Sequence, residues 1–163
     1  MIRDPLARLL RAGALTAVVD GLFASALALF VFDSTVSRLW QRVASTVLGP
    51  SAFDGGSTTV IVGLLMHVCV AFGWSAVFLL LAMRSPGLRL TLASRHGIAK
   101  VASVYGPVVW LTMSLVVIPL LVRRPTTIDW RWWIQLFGHF PFVGLPIVAS
   151  IGRGLPPTGA RAA

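Results

Sequence analysis

The sequence is poor in charge, in acidic residues and in cysteine. Charged residues make up 12% of its 163 residues, against about 25% in a typical soluble domain. All five acidic residues are aspartates, and the single cysteine, Cys69, leaves no disulfide framework and no cysteine-based metal site. The sequence also lacks a glycine-rich phosphate loop, a His-Glu-x-x-His motif, a nucleophile elbow and paired carboxylates. These absences favour a non-enzymatic protein.

Hydrophobic residues account for 56% of the chain and form four long runs. Each run is long enough to cross the roughly 30 Å hydrocarbon core of a bilayer as an α-helix. We predict an all-α fold in a single domain, an integral membrane four-helix bundle with spans near 12–32, 57–82, 101–122 and 132–151. Because the basic residues bracket apolar runs and form no solvated basic face, we expect lipid and not nucleic acid as the partner.

The distribution of basic residues predicts an orientation in the membrane. If the N-terminus is cytoplasmic, nine of the 14 Lys and Arg residues fall inside and five outside. Cytoplasmic loops carry an excess of such residues, so we expect both termini in the cytoplasm. The first run is expected to be a retained span and not a cleaved signal peptide, because Asp20 interrupts it and its apolar stretch continues to Phe32.

Residues 34–48, between the first two spans, show the pattern of an amphipathic helix. Apolar residues recur there at helical spacing, and polar residues, including Arg38, Gln41 and Arg42, occupy the other faces. Ser34 or Thr35 could cap its start, and a Gly-Pro pair follows it. We expect this helix to lie in the outer membrane interface, to pack as a cap over the bundle, or both.

Three ionisable residues, Asp20, His67 and His139, lie inside the predicted spans. Charge in lipid is costly, so such side chains normally face the bundle interior. Rows of small residues lie beside or through these positions and predict close helix approach; the rows are Gly13, Ala17, Gly21 and Ser25 in span one, and Gly63, Ala71 and Ser75 in span two. We therefore expect Asp20 and His67 to lie within hydrogen-bonding or one-water distance. Gln135, one turn before His139, adds a second polar stripe.

Three interpretations of these residues are open. Asp20 could bond to a histidine and simply lock the helix packing, as intramembrane polar pairs often do. The same residues could form a proton relay or contact a substrate, since Asp and His are the side chains that such paths use. His67 and His139 could instead ligate a b-type haem; apart from haem we expect no cofactor.

The second half of the chain carries a recognisable arrangement of motifs. His67 lies in an apolar span, Pro119 follows a Tyr-Gly-Pro sequence, and a Gly138-His139 pair opens a Phe-Pro-Phe segment. In this arrangement, residues 60–153 resemble small bacterial inner-membrane proteins similar to the YagU family. The resemblance implies a compact helical unit in the bacterial inner membrane and a link to acid resistance, without an assigned biochemical activity.

Two classes of function follow from these observations. The first is a non-enzymatic membrane protein that handles protons or an acid stress, and the second is an accessory or assembly subunit of a larger membrane complex. A single four-helix bundle of this size has little room for a transport path of its own. A protein of either class could therefore act as a homo-oligomer. The small-residue row of span one and the amphipathic helix are the candidate contact surfaces.

Overall fold

The computed structural model describes residues 4–155, and this part of the chain forms six helices and no strand. In chain order the helices are α1 Pro5–Phe30, α2 Val36–Leu48, α3 Gly56–Arg84, α4 Pro86–Ala93, α5 Gly97–Val122 and α6 Trp130–Gly152. Four of them, α1, α3, α5 and α6, are long and apolar enough to cross a membrane. The predicted all-α fold with four long apolar helices is therefore confirmed.

Two helical segments extend beyond the predicted spans. Helix α1 begins at Pro5, seven residues before the predicted span, because proline suits the first turn of a helix and the basic turns that follow remain helical. The connection after α3 contains the short helix α4, which the sequence analysis missed. The Ser85 hydroxyl caps α4 by accepting a hydrogen bond from Leu88 N at 3.2 Å. Hydrophobicity thus located the apolar part of each helix and not its ends.

Helix α2 occupies most of the segment predicted to be amphipathic. Thr35 caps it by accepting a hydrogen bond from Arg38 N at 3.1 Å. The buried residues are Trp40, Gln41 and Ala44, which pack against α3. The assignment of Gln41 to a polar face was therefore wrong: its amide is buried and donates to the Gly56 carbonyl at 3.4 Å. The helix is a cap on the bundle, and its position in a membrane interface remains a prediction.

Helices α5 and α6 each contain one π-helical turn, Met113–Val117 and Phe140–Gly144. Each of these turns ends two residues before a proline, Pro119 in α5 and Pro146 in α6. Proline lacks a backbone donor, and its ring crowds the carbonyl four residues earlier, so a wider turn relieves both problems. The turn in α6 begins directly after His139, and such turns frequently accompany functional sites.

Glycines allow α5 and α6 to cross at close range. A Cβ on Gly106 would overlap the carbonyl oxygen of His139 and lie 2.6 Å from its carbonyl carbon. A Cβ on Gly144 would overlap the Ala102 carbonyl oxygen and lie 3.1 Å from Gly106 N. Because backbone atoms are the obstacle at both positions, a larger residue at either would force the two helices apart.

The apolar core fills one half of the bundle, which we call the terminal end: α1 and α5 begin there, and α3 and α6 end there. Its fully buried members include Phe78, Ile147, Val148 and Ile151. Arg8 Nη1 joins α1 to α6 at this end by donating to the Ile151 and Arg153 carbonyls, at 2.6 Å each. The opposite half, the α2 end, contains the two cavities that surround Asp20 and His139.

The outer surface of the four long helices is apolar. Phe30 is 84% exposed, Leu120 73% and Phe137 69%, and many other large hydrophobic residues are exposed around them. Soluble monomers rarely present continuous apolar surface of this extent. The surface and the length of the helices are compatible with a membrane protein.

Candidate functional site

Asp20, His67 and His139 line one cavity of about 270 Å³ at the α2 end of the bundle. Asp20 comes from α1, His67 from α3 and His139 from α6. The remaining wall is mostly apolar and aromatic, with Trp74 and Trp110 among its members. Three separate helices therefore bring the three ionisable residues of the spans to one enclosure.

Asp20 and His67 face each other across a short gap. His67 Nδ1 and Asp20 Oδ2 are 3.9 Å apart, and the side chains are 13% and 19% exposed respectively. That separation is too long for a direct hydrogen bond, but it suits an ion pair or a single bridging water. Gly21 of the small-residue row of α1 lies beside the His67 ring, where a Cβ would be in ordinary contact with His67 Nε2 at 3.4 Å.

The second nitrogen of His67 fixes the proton arrangement of the ring. Nε2 lies 3.0 Å from the backbone carbonyl oxygen of Ala17. A carbonyl oxygen can only accept, so Nε2 carries a hydrogen and donates it. Nδ1 is consequently the ring nitrogen without a backbone partner, and it is the nitrogen directed at Asp20. The backbone of α1 thus sets both the tautomer and the direction of the imidazole.

His139 is also held by a hydrogen bond to a backbone carbonyl, but through Nδ1 instead of Nε2. Its Nδ1 lies 2.7 Å from the Gln135 carbonyl oxygen one turn earlier, so Nδ1 donates and Nε2 is the nitrogen that titrates. The ring packs against Trp110, with centroids 4.7 Å apart. The predicted Gln135–His139 stripe is therefore connected through the Gln135 backbone, which the sequence pattern alone did not indicate.

A second cavity, of about 390 Å³, continues from the first toward the α2 end. Asp20 and His139 line both cavities, and the Gln135 side chain lines the second. Its lining extends to Ser34 and to Arg42, which is exposed on α2. The wall of this cavity is mostly apolar, and Ser34, Arg42 and Gln135 are among its few polar members between the surface at the α2 end and Asp20.

The apolar core closes the site in the other direction. Phe78 and Ile147 are fully buried at the next level. Tyr105 spans from α5 to α3, where its hydroxyl donates to the Trp74 carbonyl at 2.6 Å and its ring lies 4.8 Å from that of Phe78. The described residues therefore give Asp20 a polar connection to one end of the bundle and an apolar barrier toward the other.

Sequence reasoning missed several residues of this site. Trp40 is one of the apolar residues of α2, and its ring centroid lies 5.1 Å from that of His67. Thr16 Oγ1 and Trp110 Nε1 are buried without a hydrogen-bond partner among the described residues, and both residues border the first cavity. A tryptophan or threonine inside an apolar run carries no distinguishing signal, because its use depends on the neighbouring helix.

The small-residue rows serve contacts inside the bundle. A Cβ on Gly13 would lie 2.6 Å from the ring carbon Cγ of Phe72, so this position of the α1 row packs against α3. Gly63 in the α3 row receives the backbone of α2. The α1 row thus packs within the chain at Gly13 and Gly21, and its role as a contact surface for a partner remains a prediction.

The histidines fit a bis-histidine haem poorly in this arrangement. His67 Nε2 is bonded to the Ala17 carbonyl and its Nδ1 faces Asp20. Iron ligation by His67 would require it to give up one of these contacts. Within residues 4–155, no group of three or more His, Cys, Asp or Glu side chains is arranged to hold a metal ion. His96 is exposed next to the start of α5 and lies outside the site.

Comparison of the chain with protein-family models, with curated proteins and with solved structures finds no match. The resemblance to the YagU family therefore remains a prediction.

Proposed function

We propose that this chain is a bacterial inner-membrane protein that handles protons at Asp20, His67 and His139, in a role related to acid or stress. The observation that supports this best is the orientation of His67. The Ala17 carbonyl occupies Nε2 at 3.0 Å, and this leaves Nδ1 to face Asp20 Oδ2 at 3.9 Å. The arrangement therefore directs the ring nitrogen that the backbone leaves unoccupied at a carboxylate.

One proton shared between the two side chains gives two states of equal total charge. In the first, the imidazole is protonated and Asp20 is a carboxylate; in the second, both groups are neutral. An unpaired charge is costly in an apolar surrounding, whereas a compensated pair is tolerated. A water molecule to one side of the line between the two atoms, hydrogen-bonded to both, would carry the proton across the 3.9 Å separation.

His139 and Gln135 form the entry to this pair. The second cavity links them to Ser34 and Arg42 at the α2 end, which is the periplasmic side if both termini are cytoplasmic. The core at the terminal end provides no matching polar route among the described residues. We infer exchange of protons with one side of the membrane, which fits a proton-responsive protein better than a transporter.

Replacement of Asp20 by Asn tests the proposal. The amide can still form a hydrogen bond but carries neither a proton nor a negative charge, so Asp20→Asn should keep the fold and shift the pH response. Trp40 lies beside His67, and Trp110 lies beside His139. Tryptophan fluorescence therefore reports on the two histidines, because a protonated imidazole quenches tryptophan emission. Emission should change with pH in the unsubstituted protein and in the control His96→Gln, and the pH range of the change should shift in Asp20→Asn. An unchanged titration in Asp20→Asn would contradict the proposal.

An accessory subunit remains the second candidate function. Val47 and Leu48 at the end of α2 are 62% and 45% exposed and form an apolar edge beside the cap. Purification in a mild detergent separates the two functions. A stable complex with other membrane proteins would favour the accessory subunit, and a homogeneous protein that titrates alone would favour proton handling.

A further inference from the structure

A groove at the terminal end, between the start of α1 and the end of α6, is rich in arginine. It has a volume of about 480 Å³, and its lining residues are Asp4, Ala7, Arg8, Arg11 and Leu15 of the N-terminal segment, and Ala149, Ser150 and Arg153 of the C-terminal one. Three guanidinium groups therefore meet a single carboxylate. The groove lies at the opposite end of the bundle from the Asp20 site.

Hydrogen bonds from Arg8 fix the two sides of the groove relative to each other. Its Nη1 donates to the carbonyls of Ile151 and Arg153, where the last turn of α6 leaves acceptors without helical partners. This contact holds the backbone of Arg153 against α1. Arg11 lies one turn after Arg8 on the same helix, and the Arg11 and Arg153 side chains are both exposed. Arg11 thus lines the groove from α1, and Arg153 lines it from the end of α6.

The groove changes from charged to apolar along its length. Leu15 is 45% exposed and lies seven residues beyond Arg8, which corresponds to about 10 Å along the helix axis. Ala149 faces the same groove from α6. An occupant therefore meets arginine near the end of the bundle and apolar side chains deeper along the two helices.

We propose that this groove binds one anionic phospholipid, with its phosphate between Arg11 and Arg153 and an acyl chain along Leu15. Guanidinium groups form strong charge-assisted hydrogen bonds with phosphate oxygens. Basic pockets between membrane helices suit anionic headgroups, and a free phosphate ion would make no use of the apolar part. The bound lipid holds α1 and α6 together at the terminal end.

Binding of short-chain phosphatidylglycerol to the purified full-length protein, with phosphatidylcholine as the neutral comparison, tests this site. The double variant Arg11→Gln/Arg153→Gln should lose about 30-fold in affinity for phosphatidylglycerol, from the typical attraction of two arginines to an anionic lipid. Arg84→Gln/Arg95→Gln is the matched control, because it removes the same charge from exposed positions at the same end. The control should bind within about threefold of the unsubstituted protein.

Three results would overturn the proposal. Equal binding of phosphatidylglycerol and phosphatidylcholine would show that the groove does not select charge. Equal losses in the two double variants would show a general effect of net charge. Inorganic phosphate that competes as well as the lipid would show a free-anion site. Circular dichroism of each variant confirms that it is folded, and the substituted side chains are exposed, so the fold should persist.

Discussion

Gly63 of α3 allows α2 to pack closely over the candidate site. Its replacement by alanine should push α2 away from α3. A Cβ at this position would overlap the carbonyl oxygen of Trp40, and would lie 2.7 Å from its carbonyl carbon and 3.2 Å from Ala44 N. Ordinary contact between carbon atoms requires roughly 3.5 Å. Helix α2 must therefore retreat by about 1 Å, because these obstacles are backbone atoms and cannot rotate away.

The expected cost follows from the opposing effects of this substitution. Overpacking of this kind typically destabilises by about 1–3 kcal/mol, and the better helix propensity of alanine returns about 0.5–1 kcal/mol. We expect Gly63→Ala to lower the free energy of unfolding by about 1–2 kcal/mol. Gly73 is the matched control in the same helix, since a Cβ there meets nothing within 4 Å. Gly73→Ala should be neutral or should stabilise by up to about 1 kcal/mol.

Reversible unfolding in mixed micelles, followed by circular dichroism, measures both free energies. Tryptophan emission should also shift in Gly63→Ala, because Trp40 is only 7% exposed and moves with α2. Equal stabilities of Gly63→Ala and Gly73→Ala, with unchanged emission in both, would refute the close packing of α2 on α3.

Three further predictions concern orientation, the helix ends and the cofactor. Single cysteines placed at 84–100 in a Cys69→Ser background should resist an impermeant thiol reagent in whole cells; external labelling there would overturn the cytoplasmic assignment of both termini. Arg8→Gln removes a charged donor from the Ile151 and Arg153 carbonyls and should destabilise by about 1–2 kcal/mol, measured by unfolding in micelles; an unchanged stability would show that this contact does not hold α1 to α6. The protein purified from membranes should show no Soret absorption, and a stoichiometric band lost on His67→Ala would instead identify a haem protein.

The hydrophobic pattern was sufficient for the class of fold because the length of an apolar run depends only on the sequence itself. Four runs became four long helices, and residues 36–48 of the predicted amphipathic segment became a helix capped by Thr35. The π-helical turns before Pro119 and Pro146 were not specified, although the prolines were visible. A proline indicates that the helix is disturbed, but its neighbours decide whether it kinks, ends or widens.

The site was only partly visible because its geometry depends on contacts between helices. Asp20, His67 and His139 attracted attention as ionisable residues in apolar runs. The Ala17 carbonyl that fixes the His67 ring is a backbone atom and leaves no trace in the sequence. The buried face of α2 was also misplaced at Gln41, because an amphipathic pattern cannot show that a glycine on α3 accepts the backbone of α2.

Nitrogen-15 NMR of the histidine side chains in the folded protein tests the proton-handling site most directly. Comparison with His96→Gln and His139→Gln assigns the signals of His67. We predict that Nε2 of His67 keeps its hydrogen at every pH at which the protein is folded, while Nδ1 titrates and its titration shifts in Asp20→Asn. A ring in which Nε2 titrates and Nδ1 stays protonated, or an Nδ1 titration that is indifferent to Asp20→Asn, would contradict the shared proton between His67 and Asp20.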